Sequence, residues 1–296
     1  MIHILDLQFF SDQTIAAFVI ETTEGPVLIE TGPYSAFNNL VKGLKDLGYA
    51  PEDVKHVLLT HIHFDHAGAA WAMAKAGAKI YVHPFGYKHM LNPERLYNSA
   101  KRIYGDMMET LWGEMFPIAE ENLVAVENKT IITIGDQKIQ ALHTPGHANH
   151  HIAWRLGKVI FTGDVGGCKI NGGPVVPPCP PPDIDIGEWF DSLEFIESFG
   201  PDKLYLTHYG IVEDISTHIH DLRRMLNEWG DVIRMYMNRG ETAEEMTPKF
   251  RAYAENQLRE AGLDDAMVAR YEAANPAWMS VAGLIRYWSG NPSPRL

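Results

Sequence analysis

The sequence predicts a layered α/β fold, in which helices cover a β-sheet and a helical extension closes the chain. Three observations carry this. Short β-rich runs alternate with helical periodicity through the first half, a second series of β-rich runs fills residues 130 to 208, and the chain after about residue 211 keeps helical spacing.

In order, "TIAAFVIE" (14–21) and "PVLIET" (26–31) read as strands joined by a turn at Glu24-Gly25-Pro26. Ser35 is the expected N-cap of a helix carrying Phe37, Leu40, Val41, Leu44 and Leu47 on its apolar face, which Gly48 stops. "HVLLT" (56–60) is a short buried strand, residues 67–76 an Ala-rich helix and "KIYVHP" (79–84) a further strand. Residues 85–122 are rich in Met, Tyr and Trp and read as a helical insertion, either packing on the sheet or walling a pocket. "TIITI", "KIQALHT", "HIAWRL", "KVIFTGD" and "KLYLTH" are the second series of strands, and the proline-dense stretch 171–185 is a stiff loop. One catalytic domain over 1–212, with the insertion near its pocket, and a helical extension over 213–296 packing on it are the expected organisation.

The chain has 296 residues, 46% of them apolar, enough for a sizeable core. No apolar run is as long as a membrane span, and "MIHILDLQFF" lacks the basic start of a secretory signal, so a cytoplasmic protein without membrane partners is expected. Cys168 and Cys179 fit a reducing compartment, pairing with each other being the weaker alternative. A net charge of −13 argues against a nucleic-acid partner and leaves a small-molecule substrate. The Trp and Met content is compatible with a homodimer.

"LLTHIHFDHAG" (58–68) concentrates three histidines and an aspartate directly after an apolar run. His61 and His63, two apart, project to one side of an extended segment and can grip one metal ion, while Asp65 and His66 are placed for a second. Three more ligand types end strands in the same manner: His147 in "ALHTPGH", Asp164 in "VIFTGD" and His208 in "LYLTHYG". A strand end opening into a loop is where α/β enzymes keep their sites. The remaining histidines read differently. His151 is a candidate pocket group, His150, His218 and His220 are expected to face water, and His3, His56, His83, His89 and His143 are structural.

His-x-His-x-Asp-His, Thr-Pro-Gly-His, Thr-Gly-Asp and a distal Thr-His together resemble the metallo-β-lactamase-fold hydrolases, over residues 14 to 210. The resemblance implies an αββα four-layer sandwich with a dinuclear metal centre. His61, His63 and His147 would hold one ion, Asp65, His66 and His208 the other, with Asp164 bridging. It further implies a hydroxide shared by the two ions as nucleophile, which Asp65 orients; two ions about 3.5–4 Å apart suit that chemistry. Histidine and carboxylate donors suit zinc, with iron or manganese as alternatives. Within the superfamily the glyoxalase-II-like branch is the nearer resemblance, through "GDVGGCKINGG", with Lys169 in a position to contact substrate but no Tyr after it. Lactonases are also similar, although Gly167 stands where they place a Tyr. Tyr209 is a candidate for the substrate oxyanion or leaving group. The expected function is hydrolysis of a small ester, thioester or lactone. A phosphodiesterase or nucleic-acid-processing hydrolase with the same metal site is the alternative.

Overall fold

A computed structural model describes residues 1–290. Two six-stranded sheets and eleven α-helices occur among them. The first sheet contains β1 (Ile2–Asp6), β2 (Ala16–Thr22), β3 (Gly25–Ile29), β4 (His56–Leu58), β5 (Lys79–Val82) and β6 (Leu123–Ala125), side by side in chain order. β1 to β3 are antiparallel neighbours, whereas β3 to β6 are parallel. The parallel strands β3, β4 and β5 are buried at every residue after the first, as expected of strands covered on both faces. The helices interleaved with them are α1 (Phe37–Asp46), α2 (Phe64–Ala67), α3 (Ala70–Lys75), α4 (Pro84–Leu91), α5 (Glu94–Tyr104) and α6 (Met108–Trp112).

The second sheet runs β12-β11-β10-β9-β8-β7, from β7 (Ile131–Ile134), β8 (Gln137–His143), β9 (Ile152–Leu156), β10 (Val159–Phe161), β11 (Lys203–Leu206) and β12 (Gly210–Val212). Between β10 and β11 lie the proline-rich segment and α7 (Ile186–Ser198). The chain closes with α8 (Ile215–Asn238), α9 (Ala243–Glu260), α10 (Asp265–Ala274) and α11 (Ala277–Gly290). Their starts are written in the sequence. Asp214, Asp264 and Thr242 accept backbone N–H bonds as N-caps, the last in a capping box with Glu245.

The chain divides into two compact units, one of Met1–His143 with His150–Phe161, the other of Thr144–Asn149 with the residues from Thr162 on. Within the first, Leu28, Val57, Leu59, Ile80 and Val82 pack with Leu40, Leu44 and Met73 of the helices in one apolar cluster. On the opposite face the two sheets meet: Phe18 of β2 lies 5.3 Å from Phe161 of β10, centroid to centroid. There too the Trp154 indole N–H donates to the Leu59 carbonyl at 2.9 Å, and the Ile152 N–H to the Thr60 carbonyl at 2.7 Å.

Several local expectations are corrected. Ser35 does not cap α1: its hydroxyl donates to the Leu111 carbonyl at 2.6 Å, and α1 starts after a 3-10 turn at Tyr34–Ala36 with no side-chain cap. The Ala-rich helix is split in two and starts earlier, at Phe64, because the Ala69 N–H turns aside to the Gly32 carbonyl at 3.0 Å. β1, β6 and β12 were not anticipated; two of the three have only three residues, too short for periodicity to register. Cys168 and Cys179 are free, buried thiols, which sets aside only the weaker alternative that they pair.

Trp154→Phe is expected to lower the unfolding free energy by about 2–4 kcal/mol, since it removes the indole donor and part of a fully buried ring. Urea denaturation of parent and variant measures it.

Candidate metal centre

Every ligand-type residue singled out by its motif stands just beyond the C-terminal end of a strand. His61 and His63 follow β4, His147 follows β8, Asp164 follows β10 in a 3-10 turn at Gly163–Gly166, and His208 follows β11. Each strand hands over to its loop through a buried threonine: Thr60, Thr144, Thr162 and Thr207. Asp65 and His66 lie on the single turn of α2 rather than on a bend, so their side chains leave the same short helix.

In the first unit the rings of His61 and His63 are 4.5 Å apart, with Nε2 of His61 at 2.9 Å from Nδ1 of His63. His61 and His66 are 4.0 Å apart, ring to ring. Behind them is a residue that the motifs do not include, Glu30, fully buried just after β3. Its carboxylate accepts from the Thr60 hydroxyl in a very short bond and faces Nδ1 of His66 at 3.2 Å. A carboxylate behind a histidine fixes the ring and leaves Nε2 as the outward donor. The signal for Glu30 in the sequence is an acidic residue closing a buried apolar run, "VLIETG". His151 is fully buried with its ring stacked 5.1 Å from that of His61. His150 is half-buried, 5.7 Å from the His63 ring, rather than in water.

In the second unit the turn Thr144-Pro145-Gly146 delivers His147. Gly146 has φ +121°, and a Cβ there would stand 2.4 Å from the backbone of Trp189, so only glycine lets the turn pass α7. The Trp189 ring meets the His147 ring edge-on at 5.6 Å, while its indole N–H donates to the Val165 carbonyl at 2.8 Å. Asp164 divides its carboxylate: Oδ2 lies 3.4 Å from Nε2 of His147, and Oδ1 lies 3.5 Å from Nε2 of His208.

Two groups result. His61, His63 and His147 each bring a ligand atom within 4.8 Å of the others, and so do Asp65, His66, Asp164 and His208. The fit to metal ions is tested by spacing. Donors on a tetrahedral ion at about 2.0–2.1 Å are about 3.4 Å from each other. The two Asp164–imidazole distances match that edge and exceed the usual N–H···O length of about 2.7–3.2 Å, whereas the 2.9 Å between His61 and His63 is of hydrogen-bond length. The donors, five imidazoles and two carboxylates, are those of zinc, iron and manganese sites. Asp65 is the more open member, its side chain 21% exposed and one oxygen 3.6 Å from Nε2 of His66. Tyr209 is half-buried beside His208, its N–H donating to the Lys169 carbonyl at 3.4 Å.

This arrangement of strand-end histidines and aspartates defines a class, the metal-dependent hydrolases built on two sheets. The chain matches the metallo-beta-lactamase superfamily over residues 12–208 and belongs to it. A metallo-beta-lactamase fold-containing protein of Sulfurisphaera tokodaii is 30% identical, the alignment covering 60% of this chain and 68% of that protein. An N-acyl homoserine lactonase from a Bacillus species is 27% identical over 54% of this chain and 67% of its own. Among solved structures, a metallo-beta-lactamase family protein of Thermus thermophilus shares the fold with a TM-score of 0.72, over 99% of this chain and 94% of that one at 19% identity.

His218 departs from expectation. It is buried on α8, Nε2–H donating to the Gly166 carbonyl at 2.8 Å, whereas His220 is exposed as anticipated. Burial, offset in part by that hydrogen bond, holds its pKa down to about 4. An exposed imidazole in the unfolded chain titrates near 6.5. The unfolded chain therefore binds more protons between these values, and stability falls as pH drops from about 6.5 to about 4, by up to about 3 kcal/mol. His218→Gln should flatten this slope. Urea midpoints of parent and variant at pH 7 and pH 5 check it, the parent losing more between the two.

Proposed function

We propose that the chain hydrolyses a small ester, lactone or thioester at a dinuclear centre, with zinc as the native metal. The observation that carries this reading is the pair of donor groups joined by the divided carboxylate of Asp164. In it His61, His63 and His147 would hold one cation and Asp65, His66 and His208 the other, with Asp164 placed to serve both. Such cations supply Lewis acidity and bring the pKa of water towards neutrality.

The chain's own side chains do the rest. Asp65, half-buried and the more open of the two carboxylates, would accept a hydrogen bond from the attacking water and orient it. Glu30 holds His66 through Nδ1, and the Pro178 carbonyl holds His147 in the same way at 2.8 Å. The Tyr209 hydroxyl donates to the oxygen that gains charge as the acyl bond breaks. No serine or cysteine nucleophile is needed; Cys168 and Cys179 are buried and their thiols pushed up in pKa by burial and then by Asp164, the opposite of an activated thiol.

A lactone or simple ester is the favoured substrate. The lactonase relative supports it, and the glyoxalase-II-like alternative keeps only Lys169 of its thioester-side contacts. The net charge of −13 disfavours the phosphodiesterase reading. We place the activity in the cytoplasm, a reducing compartment that the two free thiols fit.

The zinc-loaded protein should turn over p-nitrophenyl acetate or a γ-lactone faster than S-lactoylglutathione, and bis-p-nitrophenyl phosphate least. Turnover of the phosphodiester alone overturns the reading. His63→Ala should lose one metal equivalent and at least about 100-fold in kcat/KM, with an unchanged circular dichroism spectrum. Full activity with that equivalent gone contradicts the two-cation mechanism. Glu30→Gln should weaken metal binding by about 10-fold or more, measured by chelator competition.

A further inference from the structure

The proline-rich segment has a part in the site that its composition does not announce. His147 Nδ1–H donates to the Pro178 carbonyl at 2.8 Å. A carbonyl only accepts, so Nδ1 carries a proton, and Nε2, 3.4 Å from Asp164, is the nitrogen left to bind a cation.

The segment cannot hold that carbonyl still by itself. Prolines 177, 178, 180, 181 and 182 offer no N–H with which to build a ladder. The last two helices hold it instead. From α10, the Tyr271 hydroxyl donates to the Pro174 carbonyl at 2.8 Å and accepts the Ile170 N–H at 3.0 Å. One turn on, Asn275 Nδ2–H donates to the carbonyl of Pro177 at 3.0 Å, one peptide before the carbonyl that holds His147. The Ser280 hydroxyl of α11 donates in turn to Asn275 Oδ1 at 3.3 Å and accepts the Cys179 N–H at 3.4 Å. Asn275 is 7% exposed and Ser280 fully buried, so these bonds lie where water cannot replace a lost partner. α11 runs so close that a Cβ at Gly283 would stand 2.0 Å from the Cys179 carbonyl oxygen.

We propose that Asn275, braced by Tyr271 and Ser280, is a positioning residue for His147. It fixes the Pro177–Pro178 peptide, and through it the tautomer and aim of the ligand ring, so the C-terminal helices set the cation affinity of the His61, His63 and His147 group. The inference rests on reading that group as a metal site, as above. Mere packing of α10 against the segment would instead cost stability without choosing between the two cations.

The test uses the full chain, stripped of metal and reloaded with Zn(II) or Co(II), as parent, Asn275→Leu, Tyr271→Phe and, for reference, His147→Ala. Chelator competition reads the affinity of each equivalent, Co(II) visible absorption reads ligand geometry, and thermal unfolding reads stability. Asn275→Leu should weaken one equivalent about 10- to 100-fold, the same one that His147→Ala abolishes, alter its Co(II) spectrum and leave the other equivalent unchanged. Tyr271→Phe should move the same equivalent in the same direction, and carries the test if Asn275→Leu does not fold. Parental affinities for both equivalents in the variants overturn the proposal, as does an equal weakening of both in step with lost stability. A parent that binds no cation overturns the metal reading and this inference with it. A parent that loads both cations yet hydrolyses none of the esters overturns the functional reading alone, and the binding result still decides.

Discussion

Imidazole and carboxylate side chains gather in two groups mostly closed to water, and that crowding is what the rest of the structure answers to. Buried polar groups are costly unless each finds a partner, and side chains this close leave no room for a wandering ring. The fold meets the demand by giving ligand rings a second bond on the side away from the centre. Glu30 supplies it for His66, Thr60 for His61 at 3.0 Å, and the Pro178 carbonyl for His147. Glu30 does so from a left-handed backbone conformation, φ 66°, which costs of order 1–3 kcal/mol for a residue with a side chain. Its bonds to Thr60 and His66, together with its own N–H donating to the Leu58 carbonyl at 3.1 Å, offset that strain.

Much of the site was legible because it is written locally. An apolar run, a threonine or glycine and then a ligand is a pattern a few residues long, and it recurs four times. The pattern works because a buried strand aims its last residues, and β4, β8, β10 and β11 all end where the motifs place a ligand. The parallel strands were legible for the related reason that continuous burial demands continuous apolarity.

What escaped depends on distance along the chain. Glu30 reads as an ordinary strand residue until Thr60 and His66, thirty and thirty-six positions later, are seen around it. His218 looked polar because of its neighbours Thr217 and His220, yet it shares the buried stripe of Leu222, Met225 and Trp229 at spacings of four, seven and eleven. That stripe was in the sequence, and applying helical periodicity to the histidine itself would have found it. The support of the proline-rich segment was hidden more deeply, since Tyr271 and Asn275 act about a hundred residues from the carbonyls they hold.

Asp164 sends one oxygen towards a member of each donor group. A single substitution there disturbs both at once, and its effect cannot be written as the sum of two independent losses. Substitutions at His61 or His66 touch one group alone, so the aspartate is the letter at which the two groups of donors cannot be edited apart.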